Sequence, residues 1–222
     1  MQLLETIIAQ SEGVENLSSL FVLPQSGGME IKMLISKFDN SNIYLYIKEF
    51  EGMYDITLPR EYKKFLLKYN GGKTPETEFK MNRVSSDIQG FYGFGNANSH
   101  YHFDCLKKSV KWEEWLNDKM LPIATNVFGD YIMISINVES EGRIYFYYHD
   151  RPSKYIELAE DFLTFIKKCK SKKIGHIRTI EERKKDMIKL GKGDKITPEK
   201  INGWQTEINE YADIHQEELL ID

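Results

Sequence analysis

The segment that most limits what this chain can fold into runs from Leu58 to Gly72. Leu58-Pro59 opens it, and proline suits the first helical position because its missing N–H would be unpaired there anyway. Glu61 then falls in the first turn, facing the positive end of the helix dipole. Tyr62, Phe65, Leu66 and Tyr69 recur at i, i+3, i+4 and i+7, a single apolar stripe. Asn70-Gly71-Gly72 supplies a left-handed stop. The spacing predicts a short helix whose Phe65 and Leu66 are buried against a sheet.

Around this helix the pattern alternates between helical and strand-like stretches. Ile43, Tyr46, Ile47, Phe50 and Tyr54 predict a preceding helix, and Met33 and Ile35 lie in an alternating run expected to form a strand over 30–38. Downstream, Glu78 to Val84 and Gln89 to Phe94 read as strands, with Gly90, Gly93 and Gly95 marking bends. A helix is expected over 103–116, then a hairpin over 131–149 turning at Glu141-Gly142, and a helix over 157–170. At the N-terminus, Leu3, Leu4, Ile7 and Ile8 predict a short helix before a turn at Gln25-Ser26-Gly27-Gly28. Near the C-terminus, 179–190 and 197–220 predict two helices around Gly191-Lys-Gly-Asp194, the second started by Thr197 as cap and Pro198.

Composition narrows the function classes. The two cysteines, Cys105 and Cys169, are far apart and lack metal-finger or redox spacing, so reduced thiols are expected. Met1 to Gln10 carries Glu5 and no basic stretch, and no apolar run is long enough to span a bilayer. A cytoplasmic protein with no membrane partner is expected. The net charge of −4 gives no overall reason to seek nucleic acid, but it is unevenly placed. Residues 167–195 hold 12 basic and 4 acidic groups, residues 199–222 hold 1 and 7, and residues 1–166 hold 17 and 23. The acidic segment supplies an intramolecular partner for the basic one, so direct nucleic-acid binding is not expected.

Phe50-Glu51 followed by Ile56-Thr-Leu-Pro-Arg-Glu-Tyr-Lys-Lys-Phe-Leu-Leu-Lys-Tyr-Asn-Gly-Gly72 resembles the opening of the SUKH superfamily, which includes fungal regulators of cell-wall glucan synthesis. Gly90-Phe-Tyr-Gly-Phe94, Leu121-Pro-Ile-Ala124, Gly129-Asp-Tyr-Ile132, Gly142-Arg-Ile-Tyr145, His149 and Leu158-Ala-Glu-Asp-Phe162 follow in the order of that family. The resemblance covers about residues 41–168. It implies an α+β fold, a mostly antiparallel sheet with helices packed on one face, to which the C-terminal helices are an extension. Two positions depart from it: Phe128-Gly129-Asp130 stands where the family often has Gly-Gly-Asp, and Ser135 where it often has a second acidic residue. The resemblance divides the chain into an N-terminal extension (1–40), a SUKH-like domain (41–170) and a C-terminal helical extension (171–222).

Catalytic and metal-binding patterns are sparse. On an extended segment His100, His102 and Asp104 would project to one side and offer ligands for zinc, but no fourth ligand is evident, and Asp104 is equally suited to the first turn of the following helix. His149-Asp150 would place neighbouring side chains on opposite faces of a strand, which argues against a dyad. Gly90-Phe-Tyr-Gly-Phe-Gly95 lacks the lysine and helix start of a phosphate loop. Its Phe91 and Phe94 are expected in the core and Tyr92 outside. No enzyme, no metal and no cofactor is expected.

The resemblance therefore implies a binding protein. The leading expectation is an immunity protein that neutralises a cognate toxin of nuclease type, and the alternative is a non-catalytic regulator or scaffold for a cell-envelope or signalling protein. Because nucleases present basic surfaces, acidic groups on residues 1–166 are the expected contacts. The candidates are Glu76, Glu78, Asp87, Glu113 and Glu114, with Tyr92 and Trp115 as aromatic anchors. The apolar stripe Ile201, Trp204, Ile208, Tyr211 and Ile214 or His215 predicts a helical hairpin packed on its own domain or across a homodimer.

Overall fold

The structure, a computed structural model, describes residues 32–151, 155–212 and 214–221. The expected N-terminal helix and the turn at 25–28 lie outside these residues. The described chain is α+β: seven α-helices and a nine-stranded antiparallel sheet.

The anchor helix forms as the stripe requires. Helix α1 (Ile43–Tyr54) is followed by α2 (Arg60–Tyr69), which buries Tyr62, Phe65, Leu66 and Tyr69 and stops at Asn70, whose φ is 52°. Pro59 sits one residue earlier than expected, as the N-cap. In α1, Ile43, Ile47 and Phe50 are buried, whereas Tyr46 lies at the rim with its ring against Gly95.

The strands are β1 (Leu34–Lys37), β2 (Gly72–Met81), β3 (Val84–Phe91), β4 (Met120–Thr125), β5 (Tyr131–Ser135), β6 (Ile144–Tyr147), β7 (Tyr155–Ala159), β8 (Lys170–Ser171) and β9 (Glu217–Glu218). Their order is β7-β6-β5-β4-β3-β2-β1-β9, with β8 also pairing to β2. The β2–β3 hairpin turns at Asn82-Arg83, both at positive φ, and pairs Met81 with Val84. That turn lies inside what the sequence pattern reads as one strand, because Asn-Arg replaces the usual Asn-Gly.

Three further helices depart from expectation. The single helix over 103–116 is two, α3 (Phe103–Lys107) and α4 (Trp112–Asn117), with Val110 exposed between them. The helix over 157–170 begins instead with β7, and only α5 (Phe162–Lys168) is helical, capped by Asp161. The last, over 197–220, ends at Ala212, and the chain returns to the sheet as β9.

Phe65, Phe91, Phe162 and Phe165 pack α2 and α5 onto one face of the sheet, where Phe79 meets Phe165 and Phe146. Tyr147, the next residue after Phe146, points to the opposite face. There Trp115 of α4 covers Tyr131 and Tyr147, with ring centroids 5.0 and 5.9 Å away. Helices α6 (Ile180–Lys189) and α7 (Pro198–Ala212) form the expected hairpin and pack chiefly on one another. The base of this arm is tied. Gln216 accepts the Ile174 N–H at 2.7 Å and donates to its carbonyl at 3.2 Å, and Leu219 is buried beside β1.

Candidate partner-binding face

Alternation along β2 buries Thr77, Phe79 and Met81 and leaves Glu76, Glu78 and Lys80 on the opposite face. Across the ladder Glu78 sits opposite Asp87 of β3 on one side and opposite Lys170 of β8 on the other. Two carboxylates thus stand side by side, an arrangement that costs up to about 1 kcal/mol when nothing offsets it. Among the described residues no ion pair reaches either one, while Glu76 is held by Lys172 at 2.8 Å. Asp87 also braces the neighbouring turn, since its Oδ2 accepts the Val127 N–H at 3.1 Å.

This is the face that α4 covers further along the sheet. Glu113 and Glu114 therefore lie on the same side as Glu78 and Asp87. Both are in the first turn of α4, and Glu114 pairs with Lys111 at 2.8 Å.

The two expected aromatic anchors are not surface groups. Trp115 is 1% exposed beneath its own helix. Tyr92 is 5% exposed rather than facing outward, and burial pushes its phenol above its ordinary value. The reason is that β3 ends at Phe91, so strand alternation no longer governs Tyr92. Segment 99–103 covers it: Gly93 donates to the Tyr101 carbonyl at 2.8 Å, and Phe103 donates to that of Gly93 at 3.0 Å. A Cβ on Gly93 would lie 2.0 Å from the Asn70 carbonyl oxygen. The glycine-rich run serves close packing here, and Phe91 and Phe94 are buried as expected.

The histidine segment is not extended. Ser99–Tyr101 is a 3-10 turn capped by Asn98, and His102 Nδ1 accepts the Asp104 N–H at 3.0 Å to cap α3. Asp104 pairs with Lys107 at 2.8 Å in the first turn of that helix. His102 Nδ1 also lies 3.3 Å from Asp104 Oδ2, so two of the three groups stay together, but among the described residues His100 does not join them in a three-ligand cluster.

A different carboxylate finds His149. Asp130, 6% exposed, accepts the His149 N–H at 3.1 Å through Oδ1, which lies 2.8 Å from His149 Nδ1, and its Oδ2 accepts Asn126 Nδ2 at 3.0 Å. Burial alone would raise its carboxyl, but hydrogen bonds from His149 and Asn126 outweigh this and hold it below the usual range. Asp150 brings a third ligand-type atom within 4.8 Å. Both Asp130 oxygens already take donors, and among the described residues no hydroxyl or thiol hydrogen-bonds the His149 ring. The group holds a turn together and has no nucleophile to activate.

The described chain is thus an antiparallel α+β domain with a polar, partly acidic sheet face. The sequence matches the SMI1 / KNR4 family (SUKH-1) over residues 45–168, more than half of its length, and the chain belongs to that family. Proteins of this family typically bind partner proteins. No curated protein and no solved structure matches the chain. No helix among the described residues is long and apolar enough to cross a membrane.

Proposed function

We propose that this chain is an immunity protein that binds and neutralises a cognate toxin domain of nuclease type. One observation carries the reading beyond family membership: Glu78 and Asp87 stand opposite one another on an open sheet face with no cation paired to either among the described residues. A basic partner surface would offset that repulsion and gain in association rate from it. Glu113 extends the same sign of charge on the same side, while Glu114 is paired with Lys111.

Co-expression with any toxin domain encoded beside this gene tests the reading. Rescue of growth and a complex with the purified, inactivated toxin domain are expected. Replacing Glu78→Lys together with Asp87→Asn keeps an acceptor for the Val127 N–H and should slow association by about tenfold at low salt, with less effect at high salt. Absence of any complex with the unchanged chain rejects the immunity reading. Unaltered association in the double variant rejects only this face.

A further inference from the structure

The turn joining β4 to β5 inverts the usual arrangement of a surface loop. Its polar residues, Asn126 and Asp130, are 3% and 6% exposed, while its apolar residues, Val127 and Phe128, are 57% and 73% exposed. Phe128 is the most exposed aromatic side chain among the described residues. Isolated apolar groups on a surface mean little by themselves. What distinguishes this one is how firmly the backbone beneath it is held.

Asn126 Oδ1 accepts the N–H groups of both Phe128 and Asp130, at 3.0 and 2.8 Å. Its Nδ2 donates to Ser86 Oγ and Asp130 Oδ2, both at 3.0 Å. Thr125 Oγ1 donates to the Asp130 carbonyl at 3.0 Å, and Asp87 takes the Val127 N–H. Gly129, at φ +84°, supplies the left-handed step that closes the turn. Two side chains are thus buried to fix a loop whose outward product is a valine and a phenylalanine in water. A rigid loop loses little conformational entropy on binding, and aromatic groups are the usual centres of binding energy.

The surroundings say what such a group would enter. Asp87, whose carboxylate takes the Val127 N–H, continues the row that contains Glu78, and Asp150, in the turn after β6, brings a further carboxylate within 4.8 Å of Asp130. We propose that Val127 and Phe128 form the apolar anchor of the partner interface, seated in an apolar pocket of the toxin domain whose rim carries lysine or arginine facing Asp87 and Glu78. This rests on the immunity reading above and names the residues that centre it.

Titration calorimetry of the full chain with the inactivated toxin domain encoded beside it tests the assignment, using Phe128→Ala, Phe128→Leu and the control Val138→Ala. Val138 is 92% exposed at the other end of β5, away from the acidic row. Phe128→Ala is expected to weaken the complex by about 30-fold or more, Phe128→Leu to recover most of the loss, and Val138→Ala to bind as the parent does. Thermal midpoints should stay together, because Phe128 is already mostly in water. If the parent binds and Phe128→Ala binds within threefold of it, or if Val138→Ala falls equally, the anchor assignment is overturned. If the parent itself forms no complex, the toxin reading fails and the anchor fails with it.

Discussion

Asn70 offers the sharpest test of how this fold is held, because its side chain is fully buried and makes three hydrogen bonds across the domain. Nδ2 donates to the carbonyls of Asp39 (2.6 Å) and Phe94 (2.8 Å), and Oδ1 accepts the Phe94 N–H at 2.8 Å. Asn70→Ala leaves the buried Phe94 N–H unpaired, at about 1–3 kcal/mol, and takes one of two donors from the Phe94 carbonyl, which keeps the Ala97 N–H at 3.0 Å, for about 1 kcal/mol more, while water reaches the less buried Asp39 carbonyl. Alanine at a φ of 52° adds about 1 kcal/mol. The expected loss is therefore about 3–5 kcal/mol, a large share of an ordinary domain's stability. Asn70→Gly relieves only the backbone part and should recover about 1 kcal/mol. Asn70→Asp should be the worst of the three, since it points an anion at two carbonyl oxygens. Urea unfolding followed by tryptophan fluorescence measures all of these. Equal midpoints for the parent and the alanine variant, or an alanine variant more stable than the glycine one, would refute the reasoning.

Other expectations follow from single contacts. Phe65→Ala, removing a fully buried ring packed on Tyr62, Tyr69, Phe91 and Phe162, should cost about 3–5 kcal/mol in urea unfolding. Asp130 has its carboxyl lowered by the fold, so its contribution is fully present above the unfolded value of about 3.9 and is lost as pH falls through the lower folded value. Urea midpoints of the parent should therefore drop more steeply below pH 4 than those of Asp130→Asn; parallel curves would contradict this. A homodimer through α6 and α7 is our proposal for the arm, neither of whose helices fully buries a described side chain. Light scattering should show a dimer for the full chain and a monomer when residues 175–215 are replaced by a short glycine linker, and a monomer in both rejects it.

How far the sequence reveals this structure depends on where each signal resides. Helix α2 is legible because its stripe, start and stop are all local, and the arm is legible for the same reason: Thr179 and Glu182 form a capping box, and Thr197 accepts the Lys200 N–H. Strand β7 is not, because Glu157, Leu158 and Ala159 favour a helix and extend only through pairing with β6. Strands β8 and β9 are two residues each and carry no period at all. At the site, the acidic residues can be picked out one by one, yet the opposition of Glu78 and Asp87 depends on a register that the Asn82-Arg83 turn sets without glycine. Trp115 and Tyr92 read as anchors because aromatic residues look alike at a core and at an interface. Phe128 stands out in the sequence as the departure from Gly-Gly-Asp, but its exposure becomes meaningful only once Asn126 and Asp130 are seen to be buried beneath it.

The placement of β8 decides from which side a basic partner gains most. Ser171 ties β8 into the sheet by accepting the Leu34 N–H at 2.8 Å and meeting Thr77 Oγ1 at 2.6 Å, so the lysines on either side of it are fixed along the β2 edge. Lys172 neutralises Glu76, and Lys170 stands opposite Glu78. Lysines therefore flank the acidic groups beside the root of the arm, whereas toward β3 Asp87 has no cation partner among the described residues. A surface bearing lysine or arginine is drawn toward Asp87, and Asp87 is the residue whose carboxylate holds Val127. Charge steering and the apolar anchor thus converge on one corner of the sheet, and the basic root of the C-terminal arm, rather than the acidic residues alone, gives the face its direction.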